Sequence, residues 1–263
     1  MPSKTYTPSN SKILIETSVL VAASVRVLLP EGEVTDHFYY PSIELFAYIR
    51  KNLPSTLGII TQTIEREAYN ALSSAIVSTI ERNVPDKSKH YEYKSIALNK
   101  CEENMRRLTN MLLREPCDED GLLKINDEVH SMYKALEARA KTIGQIQGEA
   151  HRNLGGAQSG GMVNAIYASR IAVLNQENAQ LLRLKKVHAS PKDVKLLAEA
   201  IHIKRRYDKS SRPKYHFLMA STDSNNFVPA PSEFGPSRAV TDEIFNKYGI
   251  DCDRPEEIQK KFI

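Results

Sequence analysis

The sequence lacks a continuous apolar run of about eighteen residues, the length that a membrane-spanning helix needs, so we expect no membrane span. The segment 1–11 is polar and lacks the apolar core of a signal peptide, so we expect no secretion. Only three cysteines occur, without a Cys-x-x-Cys pair, which disfavours a disulfide framework and a zinc ribbon. Because thiols stay reduced in the cytosol, these absences together predict a cytoplasmic protein.

The seven histidines show no spacing typical of metal ligands. The chain has 263 residues, of which 41% are hydrophobic and 26% charged, a composition that suits a soluble globular protein. This length suffices for one large domain or two small ones. The net charge of +4 permits contact with nucleic acid but does not by itself argue for it.

Short apolar runs alternate with helical periodicity near both ends of the chain. Residues 12–15 form such a run, rich in β-branched side chains, which predicts a strand buried on both faces. Similar runs at 58–61 and 216–220 predict two further strands, and residue 250 opens an edge segment. This alternation predicts an α/β fold with a central, mainly parallel sheet and covering helices.

Polar residues that precede apolar periodicity mark the expected helix starts. The predicted caps are Thr17 or Ser18 for a helix over 18–25, Ser42, Thr63, and Ser190 followed by Pro191. Residues 207–213 are predicted to form a polar loop before the strand at 216–220.

Strand signals stop over residues 85–189, which predicts a long helical insertion. Its cleanest pattern is a heptad seam of Leu122, Ile125, Val129, Met132, Leu136, Ile143, Ile146 and Ala150. Such a seam packs against another helix, either within the chain or across a homodimer, and both alternatives stay open. A glycine-rich hinge at 155–161 and a second helix over 162–187 complete the segment.

Four carboxylates recur at comparable places in this pattern. Glu16 and Asp223 follow predicted strands, whereas Glu67 and Asp193 lie near the starts of helices. In a parallel sheet all four positions lie on the same edge, where such folds bind ligands. Because clustered carboxylates repel each other and hard oxygen ligands prefer Mg²⁺ or Mn²⁺, we expect one or two of these ions. Taken singly, each acid could instead be a structural cap, turn or surface residue.

The same residues carry a family resemblance. An apolar strand that ends in an acid followed by Thr-Ser occurs at Ile-Leu-Ile-Glu16-Thr-Ser. A Glu shortly after an Ile-Ile-Thr strand occurs at Glu67, and Asp193 opens an Ala-rich helix. Two further motifs follow in the chain. The first is a strand that leads into Ser-Thr-Asp223 with a nearby Phe, and the second is a Gly-Ile segment before a Pro-Glu helix. In this order and spacing the chain resembles the PIN-domain nucleases.

The resemblance covers residues 12–84 and 190–263 and implies a discontinuous nuclease domain with a three-layer α/β/α PIN-like fold, into which residues 85–189 are inserted. It implies a metal-dependent endoribonuclease whose partner is RNA. The implied catalytic and Mg²⁺- or Mn²⁺-binding residues are Glu16, Glu67, Asp193 and Asp223. The hydroxyls of Ser221 and Thr222 would orient the attacking water, or alternatively make only local turn hydrogen bonds.

One departure from the family pattern keeps a second function open. The first acid of the family is normally Asp, whereas this chain has Glu16, whose side chain is longer by one C–C bond of ~1.5 Å. Mg²⁺ demands near-ideal octahedral geometry, so a longer side chain would change the position of the metal ion and thereby affect catalysis. The alternative is a degenerate PIN scaffold that binds RNA or protein through the helical insertion without cleavage.

Two weaker interpretations concern other parts of the chain. Many small PIN proteins are toxins of toxin–antitoxin pairs, but the long insertion argues against that role because those toxins are compact. The basic run 204–214 could contact an RNA backbone. Because it precedes the strand that leads to Asp223, we expect it at the opposite end of the sheet from the acids. The alternative to RNA contact is that this run forms a solvated loop.

Overall fold

A five-stranded sheet forms the centre of the structure, a computed structural model that describes residues 6–30, 32–52, 57–156, 190–210, 214–223, 227 and 236–262. In chain order the strands are β1 (Ser11–Ile15), β2 (Arg26–Leu29), β3 (Gly32–Thr35), β4 (Gly58–Thr61), β5 (Leu113–Glu115), β6 (His216–Ala220) and β7 (Ile250–Asp253). The sheet order is β5-β4-β1-β6-β7 and all neighbouring pairs are parallel, whereas β2 and β3 form a separate antiparallel hairpin. The predicted α/β class with a parallel central sheet is confirmed.

The central strand β1 is buried along its whole length. Ile13, Leu14 and Ile15 are fully buried, and burying side chains of this size stabilises the fold by roughly 1.5–3 kcal/mol each. β1 pairs with β4 on one side and with β6 over its full length on the other. Burial on both faces requires cover on both sides of the sheet, which helices provide.

The helices form two packed groups around the sheet. In chain order they are α1 (Thr17–Ser24), α2 (Tyr39–Lys51), α3 (Gln62–Asn83), α4 (His90–Thr109), α5 (Glu119–Gly156), α6 (Pro191–Ser210), α7 (Pro236–Tyr248) and α8 (Pro255–Lys260). Helices α1 to α4 pack against one another, and α5 packs against α6. No helix within the described ranges combines the length and apolar character that crossing a membrane requires.

The strand order places a topological switch beside β1. From β1 the chain moves outward through β4 to β5, and it later returns to the other side of β1 to form β6 and β7. In open α/β sheets, ligands bind outside the carboxyl ends of the strands where the order reverses. Glu16 directly follows β1 and Ser221 directly follows β6, so both lie at this switch point.

The segment predicted as a helical insertion contributes to the central sheet. Leu113–Glu115 forms β5 and pairs with β4, so the prediction that residues 85–189 contain no strand is wrong there. Three residues are too few to give a periodic pattern, and only pairing with β4 makes them a strand. The hairpin of β2 and β3 was also not predicted.

The heptad seam lies in α5, and its first five positions, from Leu122 to Leu136, are buried. Because α5 packs against α6, that part of the seam makes contacts within the chain, as the first alternative predicted. The side chains of Ile143, Ile146 and Ala150 lie outside the description, so the homodimer stays a prediction. Gly155 and Gly156 continue α5, whereas the rest of the predicted hinge and the helix predicted over 162–187 lie outside the described residues.

Several predicted helix boundaries are wrong by a few residues. Helix α1 is capped by the Glu16 side chain and α3 by Thr61, because the last residue before each helix already has a suitable acceptor. Ser42 lies inside α2, which begins at Tyr39. Helix α6 continues to Ser210, so residues 207–210 are helical and not a loop. The predicted start of α6 is confirmed: Ser190 Oγ accepts from the Asp193 amide at 3.2 Å.

Candidate metal centre

Glu16 is held in place by the start of helix α1. The Ser18 amide donates a hydrogen bond of 2.8 Å to Glu16 Oε2, and the Ser18 hydroxyl donates to the same oxygen. From the neighbouring strand end, the Ser221 hydroxyl donates to Oε2 at 3.3 Å. All side-chain hydrogen bonds that Glu16 makes to described residues therefore use Oε2, and Oε1 is the oxygen that remains for a ligand.

The segments after β1 and β6 are tied together by the same hydroxyls. The Glu16 amide donates to the Ala220 carbonyl oxygen at 3.0 Å, and the Thr222 amide donates to Ser18 Oγ at 3.0 Å. The Asp223 amide donates to Ser221 Oγ at 3.0 Å, which fixes the backbone that carries the next acid. For Ser221 these contacts match the alternative of local hydrogen bonding. Water orientation by Ser221 and Thr222 stays a prediction.

Asp193 reaches the site from the first turn of helix α6. Its Oδ2 accepts a hydrogen bond of 2.9 Å from the Ser190 amide, which completes a reciprocal cap with the bond to Ser190 Oγ. Burial raises the pKa of Asp193 above its ordinary value, and the charge of Asp223 adds to that increase. The hydrogen bonds from Ser190 and the charge of Lys192 act in the opposite direction.

The three acids Glu16, Asp193 and Asp223 share one electrostatic environment. Burial raises the pKa of Glu16 from 4.5 to about 7. The hydrogen bonds from Ser18 and Ser221 oppose this change, whereas the charge of Asp223 reinforces it. Since Asp223 also raises the pKa of Asp193, it is the common neighbour of the other two acids. These three predicted site residues are therefore brought to one edge of the sheet.

Glu67 is placed differently from the other predicted ligands. It lies half-buried in the second turn of α3, and it makes no hydrogen bond or ion pair with Glu16, Asp193 or Asp223 in the described structure. Its neighbour Glu65 is engaged by Arg114 in a two-pronged ion pair with a shortest distance of 2.9 Å. Glu67 remains the better choice of the two for a ligand, and its role stays a prediction.

The donor chemistry fits a hard divalent cation. Among the described residues, no three His, Cys, Asp or Glu side chains converge tightly enough to hold a metal ion together. However, Mg²⁺ keeps several waters and is commonly bound through only one or two carboxylates. Glu16 with Asp223, or Asp193 with Asp223, would supply such a pair. The charge of Asp223 adds to the increase that burial causes in the pKa of Glu16 and of Asp193, and a bound cation would relieve this repulsion.

Two residues near this edge were missed by the sequence analysis. Tyr133 of α5 is buried, and the charges of Asp193 and Asp223 contribute to the increase of its pKa, after burial as the main cause. Glu199 of α6 is buried and accepts a hydrogen bond of 2.6 Å from Thr61 Oγ1. The sequence could have indicated that Glu199 is buried, because this acid lies within the apolar run Leu-Leu-Ala-Glu-Ala-Ile. No signal marked Tyr133, because its neighbours come from distant parts of the chain.

The first three residues of the basic run 204–214 form ion pairs within the fold. Arg205 pairs with Glu128 at 2.9 Å, and Arg206 pairs with Glu115. Lys12 Nζ, at the start of β1, lies 5.3 Å from the ring centre of Tyr207, so this part of α6 contacts the start of β1 as well as Glu115 at the end of β5. Residues 204–210 are helical and not a loop, although the Arg205 and Arg206 side chains stay 47% and 40% exposed.

Comparison of the chain with protein-family models, with curated proteins and with solved structures returned no match. The geometry of the sheet edge therefore carries the functional interpretation.

Proposed function

We propose that this protein is a metal-dependent endoribonuclease with a PIN-like three-layer α/β/α fold, and that Glu16, Asp193 and Asp223 form its Mg²⁺- or Mn²⁺-binding centre. One observation supports this most strongly. Glu16 is a carboxylate at the switch point of the sheet, burial raises its pKa to about 7, and the charge of another acid, Asp223, adds to that increase. No cation among the described residues pairs with it, so a metal ion is the natural counter-charge.

The position of the acids in the fold supports the same function. Three separate elements supply them: the end of β1, the start of α6 and the segment after β6. A site built from the ends of several elements of a rigid sheet can hold a phosphodiester while leaving one side open to solvent. Glu67 on α3 would act as a further ligand.

The protein groups have distinct tasks in this mechanism. Glu16 Oε1 would bind the cation while Oε2 stays tied to Ser18 and Ser221, which prevents the side chain from rotating away. Asp223 and Asp193 would supply the other carboxylate oxygens, with their backbones fixed by Ser221 and Ser190. Bound Mg²⁺ or Mn²⁺ supplies the lowered pKa of a hydrolytic water and the stabilisation of the leaving oxygen.

A nuclease assay tests this proposal directly. The parent protein, Asp193→Asn and Asp223→Asn would be incubated with single-stranded and structured RNA in Mn²⁺, with EDTA as the metal-free reference. We expect cleavage by the parent only in Mn²⁺, and a loss of at least about a hundredfold in both variants, because even outer-shell partners of metal ligands reach that size. Calorimetric titration with Mn²⁺ would be run on the same samples.

Asp127→Asn is the matched control, since Asp127 is an exposed acid of α5 and undergoes the same chemical change. It should cleave RNA as the parent does. A parent that neither binds Mn²⁺ nor cleaves RNA would refute the nuclease proposal. Equal losses in Asp127→Asn and Asp223→Asn would show that general surface charge, and not the site, is responsible.

A scaffold that binds RNA or protein without cleavage is the second candidate. It is favoured by the engagement of Glu16 Oε2 with hydroxyl groups and by the lack of a three-acid cluster in the described ranges. This candidate predicts RNA or protein binding that is insensitive to EDTA and unchanged in Asp193→Asn. Mn²⁺-dependent cleavage that Asp193→Asn abolishes would exclude it.

A further inference from the structure

A groove runs between α2 and α4, two helices that both pack against α1. It consists of two cavities, of about 320 and about 710 Å³, that share the side chain of Arg107. The smaller cavity extends to strand β2, and the larger one is lined by α2 and the end of α4. Because α2 and α4 lead into the amino ends of β4 and β5, the larger cavity lies at the opposite end of the sheet from the site acids.

The groove contains apolar side chains that the fold leaves open to solvent. Leu28 of β2 is 70% exposed and Ile96 of α4 is 54% exposed, and both line the smaller cavity. In the larger cavity, Phe46 is buried and Met111 is half-buried. Apolar side chains that gather in one exposed groove indicate a site of interaction, unlike those that are scattered singly over a surface.

The rim of the groove is basic. The charged residues among the described lining of the two cavities are Arg26, Arg50, Lys51, Lys100 and Arg107, without an Asp or Glu. Arg26 and Lys100 pair with Glu33 and Glu103 at the surface, whereas no described acid forms an ion pair with the other three. The helix dipole favours basic residues in the last turns of α2 and α4, but it does not account for the exposed aliphatic side chains in the same groove.

The dimensions of the groove fit a helix. Ile96 in the smaller cavity and Leu108 in the larger one are twelve residues apart along the chain, which is about 18 Å at 1.5 Å per residue. This length accommodates a partner helix of three to four turns. Amphipathic helices bind in such grooves by laying their apolar face on the floor, and an acidic polar face would then meet the basic rim.

Two other occupants fit the lining less well. Single-stranded nucleic acid binds by stacking its bases on aromatic side chains, whereas Leu28 and Ile96 are aliphatic. A second copy of this chain would present the same basic groove in an isologous contact, so like charges would meet.

We propose that the groove between α2 and α4 binds an acidic amphipathic helix of a partner protein. The apolar face of that helix would cover Leu28 and Ile96. Its carboxylates would lie against Arg50, Lys51 and Arg107. The proposal does not rest on the ribonuclease function, because the basic end of the groove and the site acids lie at opposite ends of the sheet.

Selection from a displayed peptide library tests this proposal on the full chain. The library would consist of helical peptides of about four turns, with Leu fixed on one face and with Ala, Asp, Glu, Lys and Arg varied on the other. We expect the selected peptides to be rich in Asp and Glu. Their affinity, measured by fluorescence anisotropy, should fall at high salt because the charges at the rim are exposed.

Two matched pairs of variants locate the binding site. Arg107→Glu should weaken binding of the best peptide by about tenfold or more, because it replaces an attraction by a repulsion. Arg82→Glu makes the same change in the last turn of α3, outside the groove lining, and should not weaken it. Ile96→Ser should weaken binding by about fivefold, whereas Leu123→Ser, at a similarly exposed position of α5, should not.

Failure to enrich any peptide, selection of basic peptides, or equal losses in both members of a pair would overturn the proposal. Urea unfolding should show equal stability within each pair. A marked loss of stability in Arg107→Glu or Ile96→Ser alone would overturn the proposal, because the fold itself would then cover the groove. Binding of a single-stranded RNA that Arg107→Glu alone abolishes would assign the groove to nucleic acid instead. A dimer in sedimentation that Arg107→Glu alone dissociates would assign it to a second copy of the chain.

Discussion

Two acids at the carboxyl edge of the same sheet have opposite environments. Glu115 ends β5 and Glu16 follows β1, and both are 8% exposed. Glu115 forms an ion pair with the Arg206 guanidinium and accepts a hydrogen bond from the Tyr207 hydroxyl. Glu16 receives only hydroxyl and amide hydrogen bonds, and the neighbouring charge that most affects its pKa is the acid Asp223.

The comparison shows that burial at the end of a strand does not make an acid a functional candidate. Glu115 is neutralised by the protein itself, so its environment is complete without a ligand. Glu16 has no positive partner in the described structure, and its charged form is therefore costly until a cation binds. The partner, and not the position, separates a structural carboxylate from a candidate metal ligand.

Glu16 should make the stability of the fold depend strongly on pH. Because its folded-state pKa of about 7 exceeds its ordinary value of 4.5, Glu16 stabilises the fold fully below pH 4.5, and this contribution is lost as the pH rises through 7. At ~1.4 kcal/mol per pH unit between the two values, the loss is about 3 kcal/mol. In EDTA, the free energy of unfolding of Glu16→Gln should therefore exceed that of the parent at pH 8 but not at pH 4.

Urea unfolding across this pH range would measure the difference. Glu44→Gln is the matched control, because Glu44 is an exposed acid of α2. Its pH profile should follow that of the parent. A Glu16→Gln profile that also follows the parent would contradict the raised pKa of Glu16.

A smaller effect should follow from breaking the environment of Glu115. Arg206→Met leaves that buried carboxylate with only the Tyr207 hydroxyl, and removing one partner of a buried ion pair costs about 3–5 kcal/mol. Because the Arg206 side chain is 40% exposed, we expect a loss nearer to about 2 kcal/mol in the free energy of unfolding.

The control for this change is Arg205→Met, which breaks the more exposed pair with Glu128. Its cost should stay below about 1 kcal/mol, the range of surface ion pairs. Chemical denaturation of both variants at pH 7 tests the difference. Equal costs would mean that Glu115 is not held by its buried pair, and the contrast with Glu16 would lose its basis.

The smallest expected effect concerns the length of the Glu16 side chain. Asp is among the preferred helix caps, so Glu16→Asp should keep the hydrogen bond from the Ser18 amide while drawing the carboxylate back from Ser221. If the longer side chain weakens the metal site, Glu16→Asp should bind Mn²⁺ roughly fivefold more tightly, a change of about 1 kcal/mol. Calorimetry would measure this, and an unchanged or lower affinity would argue that the length of Glu16 is not the obstacle.

Features that depend on local patterns could be predicted from the sequence. The apolar runs predicted β1, β4 and β6, and Ser190-Pro191 predicted the start of α6, because strand burial and helix capping are visible within a few neighbouring residues. The same logic placed Glu16, Asp193 and Asp223 at element ends, where a parallel sheet collects them. The structure brings these three to one edge.

Features that depend on residues far apart in the chain could not be predicted before the fold was known. β5 exists because three residues pair with β4. The charge of Glu115 is neutralised because α6 brings the Arg206 guanidinium to it. Likewise, Leu122 and Val129 of the heptad seam are buried within the chain only because α5 packs against α6. A charge or hydroxyl acquires its role from the partner that folding brings to it, and local sequence patterns do not contain that partner.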